Sequence, residues 1–257
     1  MKIHLHAGWS LLLLLGLGAL PLAKSQAVAP AAEPPAALSA EEVVIAMVRK
    51  NLERANALDA FQGTRVYKLE YHGFPGSRSA EMVVDVKYQS PATKEFTIRS
   101  ATGSKILIER VLNRLLQSEK EALTEENQSR VALNNDNYTF TLDRQENTPA
   151  GSFYILSVEP RTKNKLLYRG RIWVDATDFA VARIEASPAK NPSFWIKDTK
   201  IEHEYVKVSD FWLPSSNRST SSTRLGGSAV LTIDYTGYRV TALAARSDSA
   251  EIIAGHR

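Results

Sequence analysis

Cysteine is absent from this chain of 257 residues. That excludes a disulfide framework, a thiol nucleophile and a thiolate-ligated metal. It does not decide the compartment, because a chain without thiols tolerates an oxidising one. Histidine is scarce: His72, His203 and His256 are the only ones beyond the first 27 residues. No His-x-x-x-His pair occurs, and in Glu202-His203-Glu204 strand alternation turns His203 away from both glutamates, so no metal site is expected. Charge of one sign is not in excess either. The formal net charge of +4 falls to about +2 once Lys2 and Lys24 leave with an N-terminal leader, too little to argue for nucleic acid. There is no Gly-x-Ser-x-Gly elbow. Gly226-Gly227 precedes a strand rather than a helix, so it is a turn and not a phosphate loop. Asp175 and Asp178 flank a hairpin loop, where capping of the turn accounts for them. The residues carry no catalytic constellation and no cofactor motif, so an enzyme is not expected.

Long apolar runs are missing except for one. Lys2 precedes an apolar stretch from about Trp9 to Leu20, which Pro21 ends. At about 12 residues it falls short of the roughly 20 needed to span a bilayer. Small residues follow, with Ser25-Gln26-Ala27 and Ala27-Val28-Ala29 as candidate cleavage sites. This is the pattern of an export signal over residues 1–27. No cysteine follows it, so a lipid-anchored product is not expected, and the mature protein is expected to be soluble.

What is present is mostly strand. Residues 28–39 are rich in Ala and Pro and read as a linker. Ser39 and Glu42 form a capping box at the head of a helix whose apolar positions are Val44, Met47, Val48 and Leu52. That helix is expected to end near Ala57–Phe61, with Gly63 opening the next element. The period then changes to two. Thr64–Tyr71, Ala80–Tyr88 and Glu95–Ser100 are short-looped strands, with Met82, Val84, Val86, Phe96 and Ile98 on one face. Ser104–Leu123 interrupts them with a helical stripe of Leu107, Ile108, Val111, Leu112, Leu115, Leu116 and Leu123, opposed by Glu109, Arg110, Asn113, Arg114 and Gln117. Glu125–Asn137 is polar and reads as a second short helix followed by a loop.

Strands resume at Tyr138–Leu142, Ser152–Val158, Leu166–Val174 and Phe179–Ala186. Trp195–Val208 is a long run, with Trp195, Lys197, Thr199, Ile201, His203 and Tyr205 on one face. Phe211–Pro214 reads as a turn into Ser215–Arg224, a polar strand whose hydroxyls fit an edge. Ala229–Val240 closes the set, and residues 242–257 form a frayed tail. The fold class is therefore mainly β (α+β). About ten antiparallel strands must curl or split. A single curved sheet that does not fully close, its concave face covered by Ser104–Leu123 with help from Ser39–Ala57, satisfies the pattern over residues 40–241. The apolar cavity under the Ser104–Leu123 lid is then the expected ligand site. Its wall and lid comprise Met82, Val84, Val86, Phe96, Ile98, Leu107, Val111, Leu112, Leu115, Leu116, Phe140, Ile172 and Trp195. Arg169, Arg171 and Arg183 alternate with aliphatic residues and read as a solvated face paired to Glu185.

Four stretches resemble a known family. They are Gly73-Phe74-Pro75, Ala80-Glu81-Met82-Val83-Val84, Tyr168 to Asp175, and Pro188 to Trp195. The most specific element is a strand ending Trp173-Val174-Asp175, a short turn, and a strand ending Arg183-Ile184-Glu185. Over Glu41–Val240 the chain resembles the outer-membrane lipoprotein-sorting proteins related to the periplasmic lipoprotein carrier LolA. The resemblance implies a curved, incomplete antiparallel barrel with helices in its mouth, and acyl chains of lipoproteins or other lipids held inside. It also implies a periplasmic location, transport partners at the inner and outer membranes, a chaperone-like monomer, and a gating arginine on an early strand. Arg65 and Arg99 both lie on early strands. The same half-barrel serves in envelope sensors that signal through a partner, which is the alternative function the resemblance carries.

Overall fold

A computed structural model describes residues 38–91, 93–121, 129–164, 166–191, 196–224 and 226–243. The expected signal peptide, most of the linker and all but the first two residues of the tail lie outside these. So do Leu123 and Trp195.

Helix α1 spans Ala40–Ala57. The expected capping box is formed: the Ser39 hydroxyl accepts from the Glu42 amide at 3.3 Å, and the Ser39 amide donates to the Glu42 carboxylate at 2.8 Å. Together these satisfy two of the free amides at the helix start. The helix runs without a loop into β1 (Leu58–His72). The expectation that Gly63 opens the strand is corrected. Gly63 sits at an irregularity within it, where a Cβ would come within 3.1 Å of the Tyr238 ring. Strands β2 (Arg78–Gln89) and β3 (Thr93–Gly103) follow as a meander.

The interruption comes where the 3.6-residue period placed it. It consists of α2 (Lys105–Leu107), a π-helical turn (Ile108–Leu112) and α3 (Asn113–Glu121). In the π turn the Asn113 amide donates to the Ile108 carbonyl five residues back. The extra residue in that turn shifts the phase of the apolar stripe by one position. Of the expected second helix, residues 129–131 are helical.

Seven strands complete the sheet: β4 (Tyr138–Thr148), β5 (Gly151–Pro160), β6 (Tyr168–Asp175), β7 (Val181–Pro188), β8 (Ile196–Val208), β9 (Phe211–Thr223) and β10 (Ser228–Ala242). Between β6 and β7, Asp175 does cap the turn, its carboxylate accepting from the amides of Thr177 and Asp178 at 2.9 and 2.7 Å. Phe179 belongs to that turn, with φ at 50°, so β7 starts later than its apolar run suggested.

All ten strands form one antiparallel sheet in the order β3-β2-β1-β10-β9-β8-β7-β6-β5-β4. The edges are β3 and β4, and they flank the helical segment in sequence. The sheet is therefore an unclosed barrel, and α2–α3 follows its edge strand β3 and packs on β2 and β3.

Two sequence expectations fail on β8 and β9. Phe211–Pro214 is strand, not turn; the turn is Ser209-Asp210, with Ser209 at φ 55°. The polar strand is not an edge, since β9 pairs with both β8 and β10. Its polar residues are tolerated centrally because the facing residues of β8 are polar too: the hydroxyls of Thr199 and Ser221 meet at 2.9 Å. A register shift at Ile196/Asp198 also places Ile196, rather than Lys197, in the interior.

Cross-strand partners in an antiparallel sheet share a face. One continuous row of partners runs Leu142, Leu156, Ile172, Ile184, His203, Asn217, Ile233, Tyr67, Met82. Both ends of the row are apolar and its middle is polar. Over one end lies a core built by Val43, Val44 and Met47 of α1 with Leu156, Ile172, Val174 and Ile184. Over the other lies a core of Leu112, Leu115 and Leu116 with Met82, Val84, Val86, Leu213 and Ile233. One sheet face thus carries two hydrophobic cores, each roofed by its own helix.

Candidate functional site

The lid begins at Gly103, whose φ is 95°. A Cβ there would stand 2.4 Å from the Ser79 carbonyl oxygen, so only glycine turns the chain inward at this point. The Ser104 amide then bonds that same carbonyl at 2.8 Å, fixing the root of the lid to the start of β2. From there the segment lies in the barrel. Leu112 is fully buried, and Leu115 and Leu116 nearly so. Burial of each such side chain is worth about 1.5–3 kcal/mol. The void beside the lid measures about 20 Å³ and is lined by Tyr67, Leu115, Glu119, Asn217, Ser219 and Tyr235 among others. That is room for about one water, not for an acyl chain.

Beyond the leucines the lid ends on a charge. Glu119 is buried, and its carboxylate takes both available partners inside the barrel. Arg65 Nη1 of β1 donates to Oε2 at 2.7 Å, and Lys94 Nζ of β3 donates to Oε1 at 2.5 Å. All three side chains are nine-tenths or more buried. Arg65 also donates to the Tyr67 hydroxyl at 3.2 Å and lies 5.0 Å from the Tyr235 ring and 5.7 Å from the Phe96 ring. Lys94 lies 5.9 Å from Phe61. Burial would raise the Glu119 carboxyl, but Lys94 and Arg65 outweigh it and hold it at about 2. Burial pushes the Lys94 ammonium below its ordinary value against the pull of Glu119. Burial would also lower Arg65, but Glu119 keeps its pKa above the usual value. A buried ion cluster of this kind adds little net stability, yet removing one member costs about 3–5 kcal/mol. Its effect is to fix where α3 sits.

Between the two cores lies the polar stripe. Asn217 donates through Nδ2 to His203 Nε2. His203 Nδ1 is buried and without a partner among the described residues. Burial lowers the imidazole to about 4, so the ring is neutral at neutral pH. No group of three or more His, Asp or Glu side chains converges among the described residues.

Of the expected cavity residues, Met82, Val84, Val86, Leu112, Leu115 and Leu116 meet in one core, with Phe96, Leu107 and Val111 packed against it. Phe140 and Ile172 belong to the other core, under α1. Ile98 shares a face with Val84 but is 47 % exposed, because it stands on the edge strand at the lip of the seam. Trp195 lies outside the described residues. Between the two arginines the structure distinguishes clearly: Arg65 holds the lid, whereas Arg99 is exposed and pairs with Asp85 at 2.5 Å. Sequence reasoning missed Lys94 and Glu119. Glu119 was readable, since it continues the Leu112–Leu115–Leu116 stripe at helical spacing. Lys94 alternates with Phe96 on the inner face. The arginine face is solvated: Arg183 pairs with Glu185 and stacks at 5.1 Å over Trp173, and Arg169 pairs with Glu159 at 3.2 Å.

The class of structure is an open antiparallel half-barrel with a helical lid inside it. No family model and no curated protein matches the chain in sequence. Solved structures similar in fold include three of bacterial origin. One is a DUF1329 family protein from Desulfovibrio piger, with 14% identity over 79% of this chain and 93% of that one at a TM-score of 0.40. A putative outer membrane lipoprotein-sorting protein domain from Vibrio parahaemolyticus shares 10% identity over 79% and 93%, also at 0.40. A LolA superfamily protein from Nitrosomonas europaea shares 12% over 80% and 96%, at 0.34.

Proposed function

We propose that this protein is a periplasmic, non-enzymatic lipid carrier, which takes acyl chains of lipoproteins or other lipids into the barrel half now filled by α2–α3 and conveys them towards the outer membrane. The observation that carries this reading is the lid itself. An amphipathic helical segment packs on the inner face of an unclosed sheet, belongs to no strand ladder, and is held at its far end by three buried charges. Such a segment can leave without breaking the sheet. The surface it uncovers, centred on Met82, Val84 and Val86, is apolar. Each acyl CH₂ moved there from water is worth about 0.8 kcal/mol, so a chain of some 14 carbons supplies near 10 kcal/mol before ordering costs. That is enough to replace the burial lost by three leucines. Delivery requires partners at the donor and acceptor membranes.

The test is native mass spectrometry of the protein purified from the periplasm, followed by organic extraction. Co-purified acyl lipid or lipoprotein is the expected result. Protein that is ligand-free and also fails to bind a fluorescent fatty acid overturns the reading. Leu112→Asp or Leu116→Asp puts a charge on the lid face that would lie against a bound chain, and should weaken acyl binding.

A further inference from the structure

We propose that Arg65 and Lys94 together form a subsite for the anionic group of the acyl ligand, a carboxylate or a phosphate, and that Glu119 is a tethered stand-in for that anion while the lid is closed. This rests on the acyl-binding reading above and narrows it to amphiphiles bearing a negative charge.

Three observations lead there. The first is charge count. Two cations face one carboxylate, and every member is nine-tenths or more buried, so the cluster carries one positive charge in excess inside an apolar shell. The second is placement. Arg65 and Lys94 stand on β1 and β3, which belong to the sheet, while Glu119 is on the lid. When the lid leaves, its carboxylate leaves with it and both cations remain. A neutral acyl ligand would seal two unpaired cations into the barrel, which is strongly unfavourable. An anionic one restores the pairing. The third is geometry. Glu119 offers one oxygen to each cation, at 2.5 and 2.7 Å, the two-oxygen bridge that carboxylates and phosphates share. Beside it the void of about 20 Å³ is partly polar, touching Tyr67, Asn217, Ser219 and Tyr235, which leaves space for an anion larger than a carboxylate.

The experiment uses the full chain and cis-parinaric acid against its methyl ester, read by fluorescence. The acid should bind about 10-fold or more tightly than the ester. Glu119→Gln should tighten the binding of acid and ester alike by loosening the closed lid, and Lys94→Met should lower the ratio by leaving Arg65 as the one cation of the subsite. Competition by phosphatidic acid and by palmitate then separates the sources. Stronger displacement by phosphatidic acid assigns the subsite to a phosphate, and stronger displacement by palmitate to a carboxylate; either supports the proposal. Equal affinity for acid and ester in the wild-type protein overturns it while leaving the carrier reading intact, and needs no variant to fold. If neither probe binds, the carrier reading falls and this inference with it.

Discussion

The two halves of the barrel interior are roofed in opposite ways. Over β4–β7 lies α1, an 18-residue helix with a complete capping box, packed through Val43, Val44 and Met47 onto an apolar floor. Its far end is tied from outside: Arg54 donates to the Asp178 carbonyl at 2.8 Å, and Asp178 in turn accepts from Trp212 at 2.9 Å and Lys207 at 2.6 Å. Over β1–β3 lies the lid, broken by a π turn, rooted on one glycine and tied from inside by ions. One roof is held by packing and by hydrogen bonds that water can replace cheaply. The other is held by charges that cannot be left unpaired. The first arrangement resists opening in small steps. On the proposed carrier reading the second is a two-position device, because each position must satisfy the same cations.

The sharpest way to break that contrast is Glu119→Ala. It should cost about 3–5 kcal/mol by leaving Arg65 and Lys94 uncompensated, and deuterium uptake should rise over Asn113–Glu121 while α1 stays protected. Equal uptake in both helices would erase the difference between the roofs. Met47→Ala should cost a comparable or somewhat smaller amount, about 2–5 kcal/mol, measured by denaturant unfolding. Here acyl binding by the folded protein should be unchanged, since α1 roofs the half without the lid.

Acid should act on the two regions in sequence. The neutral His203 ring is held down from 6.5 to about 4, so its contribution is complete above pH 6.5 and is lost as pH falls towards 4. Glu119 is held down from 4.5 to about 2, so its contribution is present above pH 4.5 and is lost between there and pH 2. Urea midpoints should therefore drop first with His203, and His203→Gln should remove only that first drop. The smallest effect belongs to Arg99→Ala, within about 0.5 kcal/mol and without change in lid exchange, because its ion pair with Asp85 lies in water.

Much of the architecture was legible because it depends on period. Alternation marked the strands, the change to 3.6 marked Ser104–Leu123, and Ser39 with Glu42 marked the head of α1. Failures gathered where a local rule was overridden by a partner far along the chain. Phe211–Pro214 contains a proline and follows a polar run, yet it is strand because Phe211 and Leu213 pair with Val208 and Val206 and enter the core. Ser215–Thr223 looked like an edge because nothing in its own residues announces His203 and Thr199 opposite. In the ion cluster Glu119 was marked by the stripe it continues, but its pairing with Arg65 and Lys94 was hidden for the same reason. Arg65, Lys94 and Glu119 are each ordinary surface residues by type, and only the closed lid removes them from water.

One ladder in the sheet differs from the rest. Eight of the nine join strands adjacent in sequence; the ninth zips β1 to β10, from Leu58 opposite Ala242 to His72 opposite Ser228. The β1–β3 meander and the β4–β10 meander can each assemble from local hairpins, and they become one sheet only through this pairing of distant segments. Closing so large a loop is the slow step that topology imposes. The folding rate of the protein should accordingly be set on the Tyr67–Ile233 line rather than at the unpaired edges β3 and β4.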